Sequence, residues 1–236
     1  MFHPDAIREI KEHAERVYPE ESCGIVSGGK YFECCNVHED PLSHFEIHDE
    51  EYAIYEERDA GVDAIVHSHP DGFDCPTKDD MTAQIASAVS WGITRVVKGK
   101  AQNPFFWGDS LPIAPLIGRT FRMGVHDCYA LVRDWFRIEK GIVLDAFPRD
   151  PIWWEKGQNI LADNFDRIGF EEIPPMSPQP GDCMMGKIKG PVENHCAVYL
   201  GDGLMLHHLA GRLSRREPIG PWMKYATRFF RLKEKR

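Results

Sequence analysis

Residues 62 to 70 read Val62-Asp63-Ala64-Ile65-Val66-His67-Ser68-His69-Pro70, an apolar run followed by His-Ser-His-Pro. The first five residues have the length and composition of a buried strand, and the spacing predicts a helix over 78–90 and a further strand over 94–97. Upstream, Ala6, Ile7, Ile10, Ala14 and Val17 recur at helical intervals behind Pro4, which a first helical turn tolerates. Two β-type runs follow, 23–26 and 31–37, broken by Ser27-Gly28-Gly29. A helix is expected over 50–59, stopped by Gly61. Helices and strands interleaved in this way make residues 1–100 a mixed α/β domain, a mixed sheet with flanking helices.

Downstream the pattern changes. Residues 101–118 carry Pro104, Gly108, Pro112, Pro115 and Gly118 with little periodicity and read as a linker. From 119 to 236 helices come first, over 129–138 and 153–165, followed by a stiff stretch with Pro174, Pro175, Pro178 and Pro180. After Asp182 the chain turns β-rich: runs at 196–200 and 204–209 flank Gly201-Asp202-Gly203, a hairpin signal, and 229–232 supplies a last strand. That order predicts an α+β second domain.

Composition excludes several classes. The 236 residues are 42% hydrophobic and 28% charged, enough apolar material for a core in each domain. No apolar run approaches the ~18 residues a membrane-spanning helix requires, and the start MFHPDAIREI lacks the basic and apolar regions of a secretory signal. Seven cysteines, two of them the adjacent Cys34 and Cys35, suit a reducing place of synthesis better than a disulfide framework. The net charge of -9 divides at residue 110 into -13 before and +4 after, a further sign of two domains. An excess of +4 without an accompanying motif is far from a nucleic-acid-binding patch.

Two constellations carry chemistry. In the first, His67 and His69 alternate onto one face of a strand, and Asp80 lies eleven residues beyond His69 on the next helix. Zinc takes imidazole and carboxylate ligands, and a catalytic site leaves one position for water. A His-x-His pair is expected by chance roughly 0.5 times in such a chain, but adding a hydroxyl residue and an Asp at fixed spacings lowers this to roughly 0.002. Thr77-x-x-Asp80 also reads as a capping box for the helix that follows, and the two readings are compatible.

These residues resemble the JAMM motif of the JAB/MPN metalloprotease family: His67, Ser68, His69 and Asp80 match, Thr77 stands where the family has Ser, and Pro19-Glu20-Glu21-Ser22-Cys23-Gly24 resembles its upstream Pro-x-Glu-x-Cys-Gly. The resemblance implies that His67, His69 and Asp80 hold zinc, that Glu21 is the general base for the attacking water, and that Thr77 steadies the oxyanion. Substrates would be isopeptide or peptide bonds. Glu20 is the rival for Glu21, since strand register alone decides between neighbours, and Cys75 is a rival metal ligand within the loop.

In the second constellation Cys128 opens a helix, where backbone N–H groups and the helix dipole favour a thiolate. A thiol nucleophile needs a base, and His195 opens a strand downstream with His207 and His208 across the hairpin. A three-residue Gly201–Gly203 loop places His207 on the face of His195, whereas a two-residue Asp202-Gly203 turn selects His208. Cys183 and Cys196 read as small buried hydrophobes.

Asp127-Cys128-Tyr129-Ala130-Leu131-Val132, Pro180-Gly181-Asp182 and the run from His195 to Gly203 resemble the NlpC/P60 peptidase family. The resemblance implies a papain-like domain with a Cys128-His195-His207 triad acting on stem peptides of bacterial peptidoglycan, typically beside a D-glutamyl residue. Two departures stand out: Ser-Gly after the nucleophile is Tyr129-Ala130, and the Tyr that many members use at the oxyanion is Phe121. A JAMM module fused to an NlpC/P60 module is similar to the tail assembly protein K family of lambda-like phages. That likeness implies tail-tip proteins as partners, a role in tail assembly in the host cytoplasm, and a place at the virion tail tip.

Overall fold

The structure is a computed structural model and describes residues 2–233. The chain forms two compact units, residues 1–112 and 113–236.

The first unit is a six-stranded mixed sheet. Helix α1 (Pro4–Val17) precedes a hairpin of β1 (Cys23–Ser27) and β2 (Lys30–Cys34), then α2 (Asp49–Glu56), β3 (Ala64–Pro70), α3 (Lys78–Ser87), β4 (Ser90–Val97), β5 (Lys100–Ala101) and β6 (Phe105–Trp107). Strand order is β2-β1-β3-β4-β5, with β6 also on β4, and only β3 and β4 run parallel. The buried stripe of α1, Ala6, Ile10 and Ala14, covers one face, where Ala6 and Ile10 meet Val26, Ala64 and Val66. Cys23, Ile25 and Cys34 line the opposite face beneath Phe45, Ile47 and Tyr52.

The second unit begins with α4 (Cys128–Lys140) and α5 (Ile160–Phe165), continuing through β7 (Phe170–Ile173), β8 (Cys183–Gly186), β9 (His195–Gly201), β10 (Leu204–His207), β11 (Arg215–Pro218) and β12 (Ala226–Leu232). These strands form an antiparallel sheet in the order β11-β10-β9-β8-β12-β7. The buried face of α4, with Leu131, Val132, Trp135 and Phe136, packs over Cys183, Met185, Cys196, Val198 and Leu206. Met184, Ala197, Met205 and Phe229 point to the other face. The architecture is thus α/β followed by α+β, as the order of elements predicted.

Several elements differ from the sequence reading. Strand β3 runs on to Pro70 because it lies between β1 and β4 and its polar end, Ser68 and His69, is buried there. Helix α3 stops at Ser87, since Ala88 turns left-handed at φ 56° and frees Ser90 to start β4. Residues 105–107, within the stretch read as a linker, form β6, where burial of Phe105 and Trp107 outweighs the neighbouring prolines and glycines. The helix expected over 153–165 is only α5; residues 151–157 form turns that end at Gly157, φ +72°. Strands β5, β7 and β11 were not foreseen.

Candidate functional site

In the first unit the strand period does what the sequence reading required and puts His67 and His69 on one face. Cys23 pairs with His67, and Ser68 N–H donates to Ser22 O at 3.0 Å, so the register sets Glu21 opposite His69 on that same face. Glu21 is 8% exposed and lines a cleft of about 430 Å³ with His69, Thr77, Asp80, Phe45 and Trp91, whereas Glu20 is exposed. Phe45 stacks on His67 at 4.4 Å between centroids.

Thr77 and Asp80 form the capping box of α3: Thr77 Oγ1 accepts from Asp80 N (3.1 Å), and Asp80 Oδ2 accepts from Thr77 N (2.7 Å) and from the Thr77 hydroxyl (2.7 Å). The cap therefore aims the carboxylate. Asp80 Oδ1 lies 3.2 Å from His67 Nε2, Asp80 Oδ2 lies 3.3 Å from His69 Nε2, and the two Nε2 atoms are 3.0 Å apart. His69 Nδ1 donates to Phe73 O at 3.0 Å, which leaves Nε2 as its free lone pair. The two imidazole nitrogens and the Asp80 carboxylate, with one ligand atom from each all within 4.8 Å of one another, are close enough to share one zinc ion with ~2.0–2.1 Å bonds. Among the described residues this trio is the one group of three or more such donors. Cys75 is not part of it.

Burial opposes charge throughout the cleft. It lowers the His67 imidazole pKa and pushes the Glu21 carboxyl up to about 7. It also opposes the Asp80 carboxylate, but the two histidines outweigh it and hold Asp80 far below the usual range. His69 is raised, because the bond to Asp80 and that residue's charge overcome its own desolvation.

In the second unit Asp127 is the N-cap of α4: Oδ1 accepts from Ala130 N (2.9 Å) and Oδ2 from Gly124 N (2.8 Å). Arg149 donates from Nε to Asp127 Oδ2 (3.1 Å), and its Nη2 bonds the same oxygen. Cys128 is the first helical residue, half-buried between the helix start and β9. A hydrogen bond from the Cys196 thiol, opposed by burial and reinforced by the His195 hydrogen bond and charge, pulls Cys128 down to about 5. Cys196 itself is held well above its ordinary value, chiefly by burial, and so remains a donor. That gives Cys196 a part beyond the filler its sequence context suggested.

His195 Nε2 lies 3.0 Å from His207 Nδ1. Both proposed loop lengths miss how this arises. Gly201 pairs with Leu204 across a two-residue turn, but Tyr199 then pairs with Met205, so Leu200 bulges out and the register shifts by one. His207 thereby opposes Ala197 and shares the face of His195, while His208 turns to the other face and is wholly buried, edge-on to Phe121 at 5.1 Å. His207 continues to Glu217 on β11, whose Oε1 meets His207 Nε2. Neither Glu217 nor Arg149 carried a sequence signal, one lying in the charged run Arg215-Arg216-Glu217 and the other in a coil.

The NlpC/P60 family profile matches residues 102–231, and that of prokaryotic homologs of the JAB domain matches residues 3–108. The chain is 34% identical to tail tip assembly protein K of Escherichia phage N15 over 98% of its own length and 95% of that protein. It is 37% identical to tail tip assembly protein K of Escherichia phage lambda over 65% of this chain and 73% of that one. Among solved structures, a protein from Desulfitobacterium hafniense aligns with TM-score 0.37 and 20% identity, covering 46% of this chain and 84% of its own. An NlpC/P60 family protein from Bacillus cereus aligns with TM-score 0.35 and 14% identity, covering 95% of this chain and 66% of its own. The chain belongs to the NlpC/P60 family, with a JAB-type domain ahead of it. More particularly, it belongs to the tail tip assembly protein K family of lambda-like phages.

Proposed function

We propose that this tail-tip protein is a hydrolase whose second unit cuts stem peptides of bacterial peptidoglycan through Cys128, His195 and His207, and whose first unit is a zinc-dependent peptidase or isopeptidase. The observation that carries the reading is the placement of Cys128 at the start of α4 beside the His195–His207 pair, an arrangement in which the Cys196 hydrogen bond and His195 pull the thiol pKa down against burial. In this reaction the Cys128 thiolate adds to the scissile carbonyl carbon, and the imidazolium of His195 gives its proton to the leaving amine. Water, deprotonated by His195, then releases the acyl group from sulfur. Phe121 offers no hydroxyl, so backbone N–H groups at the helix start serve the oxyanion.

In the first unit, His67, His69 and Asp80 would hold the zinc ion. Bound there, the metal would supply Lewis acidity at the scissile carbonyl and lower the pKa of water. Glu21, opposite His69, receives the proton of the attacking water and passes it to the leaving amine. Thr77 holds Asp80 in place through the cap, and because its one hydroxyl proton goes to Asp80 Oδ2, it would serve the oxyanion only by releasing that bond when substrate binds.

Mass analysis of peptidoglycan fragments after incubation with the purified protein tests the main reading, with new amino termini within the stem peptide as the expected product. An unchanged fragment pattern would count against it. Purified protein is further expected to carry about one zinc, lost in His69→Ala, and metal analysis that finds full zinc in that variant overturns the ligand set. Glu21→Gln should keep the zinc and lose hydrolysis.

A second reading, an assembly factor without catalysis, draws on Phe121, which lacks the hydroxyl that many members place at the oxyanion. Under either reading the partners are other tail proteins, met in the host cytoplasm during assembly or at the virion tail tip.

A further inference from the structure

Glu217 stands on β11 opposite Met205, so its side chain shares the face of Met205 and His207 and reaches the latter diagonally. Two hydrogen bonds run from β11 toward Cys128, Glu217 Oε1 to His207 Nε2 and His207 Nδ1 to His195 Nε2 at 3.0 Å, and His195 in turn acts on the Cys128 thiol. Direction follows from chemistry. A carboxylate can only accept, so His207 Nε2 carries a proton. A neutral His207 then accepts at Nδ1, which requires the proton of His195 to sit on Nε2. Only Nδ1 of His195 is left with a lone pair for the thiol.

We propose that Glu217 is a positioning residue that fixes the tautomers of both imidazoles, making Nδ1 of His195 the atom that takes the Cys128 proton. The assignment rests on the thiol-peptidase reading of this site. Neutrality of His207 has a physical cause: burial and the neighbouring His195 lower its pKa to about 4, against the opposing pull of Glu217. The charged or titratable groups facing His207 are His195 from β9 and Glu217 and Arg215 from β11. Trp222, in the 3-10 turn Gly220–Trp222, lies against both rings, 4.5 Å from His207 and 6.1 Å from His195, and screens their bond from water. Through this line the Glu217 anion also favours the imidazolium that forms when Cys128 ionises. A role limited to pinning β11 would leave the tautomers unchanged.

Two measurements on the full chain test this without any substrate. Long-range proton–nitrogen NMR spectra of the histidines assign each ring's tautomer, and the pH dependence of Cys128 alkylation by iodoacetamide, read by peptide mapping, follows the thiolate. The wild type should show His195 protonated at Nε2. Glu217→Leu should mix the two tautomers and slow alkylation about twofold at pH 6 and about tenfold near pH 4, with rates converging above pH 7, as a shift of about one pKa unit from about 5 requires. Glu217→Gln, which keeps an acceptor and loses the charge, should fall between them and supplies the result if the leucine variant does not fold. Unchanged tautomers together with an unchanged alkylation profile overturn the proposal. Rapid wild-type alkylation without cleavage of wall peptides would remove the peptidase reading and leave the Glu217 assignment standing.

Discussion

Cys128→Ala is expected to abolish cleavage of wall peptides, a loss on the order of 10⁴-fold or more, while leaving tail assembly intact. The substitution deletes one sulfur from a half-buried position, which a folded unit bears at modest cost, and the surface available to partners is nearly unchanged. Catalysis requires the thiolate; docking requires only folded surface. A phage carrying Cys128→Ala should therefore build normal tails and adsorb, yet deliver DNA poorly into hosts with thick or highly cross-linked walls. Deletion of the whole gene should block assembly instead. Normal infection by the Cys128→Ala phage, with the gene still essential, would favour the assembly factor over the hydrolase. The same logic makes Cys128 the fastest of the seven cysteines to alkylate near neutral pH, with His195→Ala slowing it.

Arg149→Met should give the largest loss of stability of any single change near the thiol site, about 3–5 kcal/mol. Arg149 and Asp127 are 3% and 2% exposed, and the arginine also donates from Nη1 to Phe147 O at 2.9 Å, with its guanidinium 5.3 Å from the Phe147 ring. Removing it leaves a buried carboxylate with its N-cap bonds but no counter-charge, next to Cys128. Against a total of about 5–15 kcal/mol, that loss threatens folding at growth temperature.

The sign of the pH dependence identifies the cause. Burial works against the Asp127 carboxylate, yet Arg149 and the cap hydrogen bonds depress its pKa in the folded state. Its stabilisation is thus complete above the unfolded value near 4 and is lost as pH falls below it. Without Arg149, desolvation dominates and raises that pKa, so the variant should lose stability as pH rises through the mildly acidic range. Asp127→Asn combined with Arg149→Met should recover part of the loss. Denaturant midpoints across pH 4–8 read both effects, and parallel profiles for wild type and variant would dismiss the charge argument.

Much of the candidate sites' geometry is local and was legible in the sequence. His67 and His69 share a face because a strand has period two, and Thr77 with Asp80 spells a capping box that also points a carboxylate back at them. Asp127 ahead of Cys128 caps α4 from its own chain, so the place of Cys128 at a helix start follows from neighbouring residues. The glycine-rich turn at 201–203 and the amphipathic stripe of α1 are likewise properties of a few adjacent positions.

What remained open was settled by pairing between distant parts of the chain. Glu21 rather than Glu20 faces His69 because Cys23 pairs with His67 more than forty residues away. His207 rather than His208 meets His195 because Leu200 bulges from β9, a choice made where two strands pack on one core and one extra residue must go somewhere. Phe105–Trp107 became a strand since β4 offered an edge and a place to bury two aromatic rings. Glu217 and Arg149 gain their positions only when β11 and the coil before α5 reach the thiol site. The sequence by itself determined which side chains could do the chemistry, because periodicity and capping act within a turn or a strand. Tertiary structure alone decided which neighbour supplies each charge and hydrogen bond, because register depends on burying one face of a sheet as a whole.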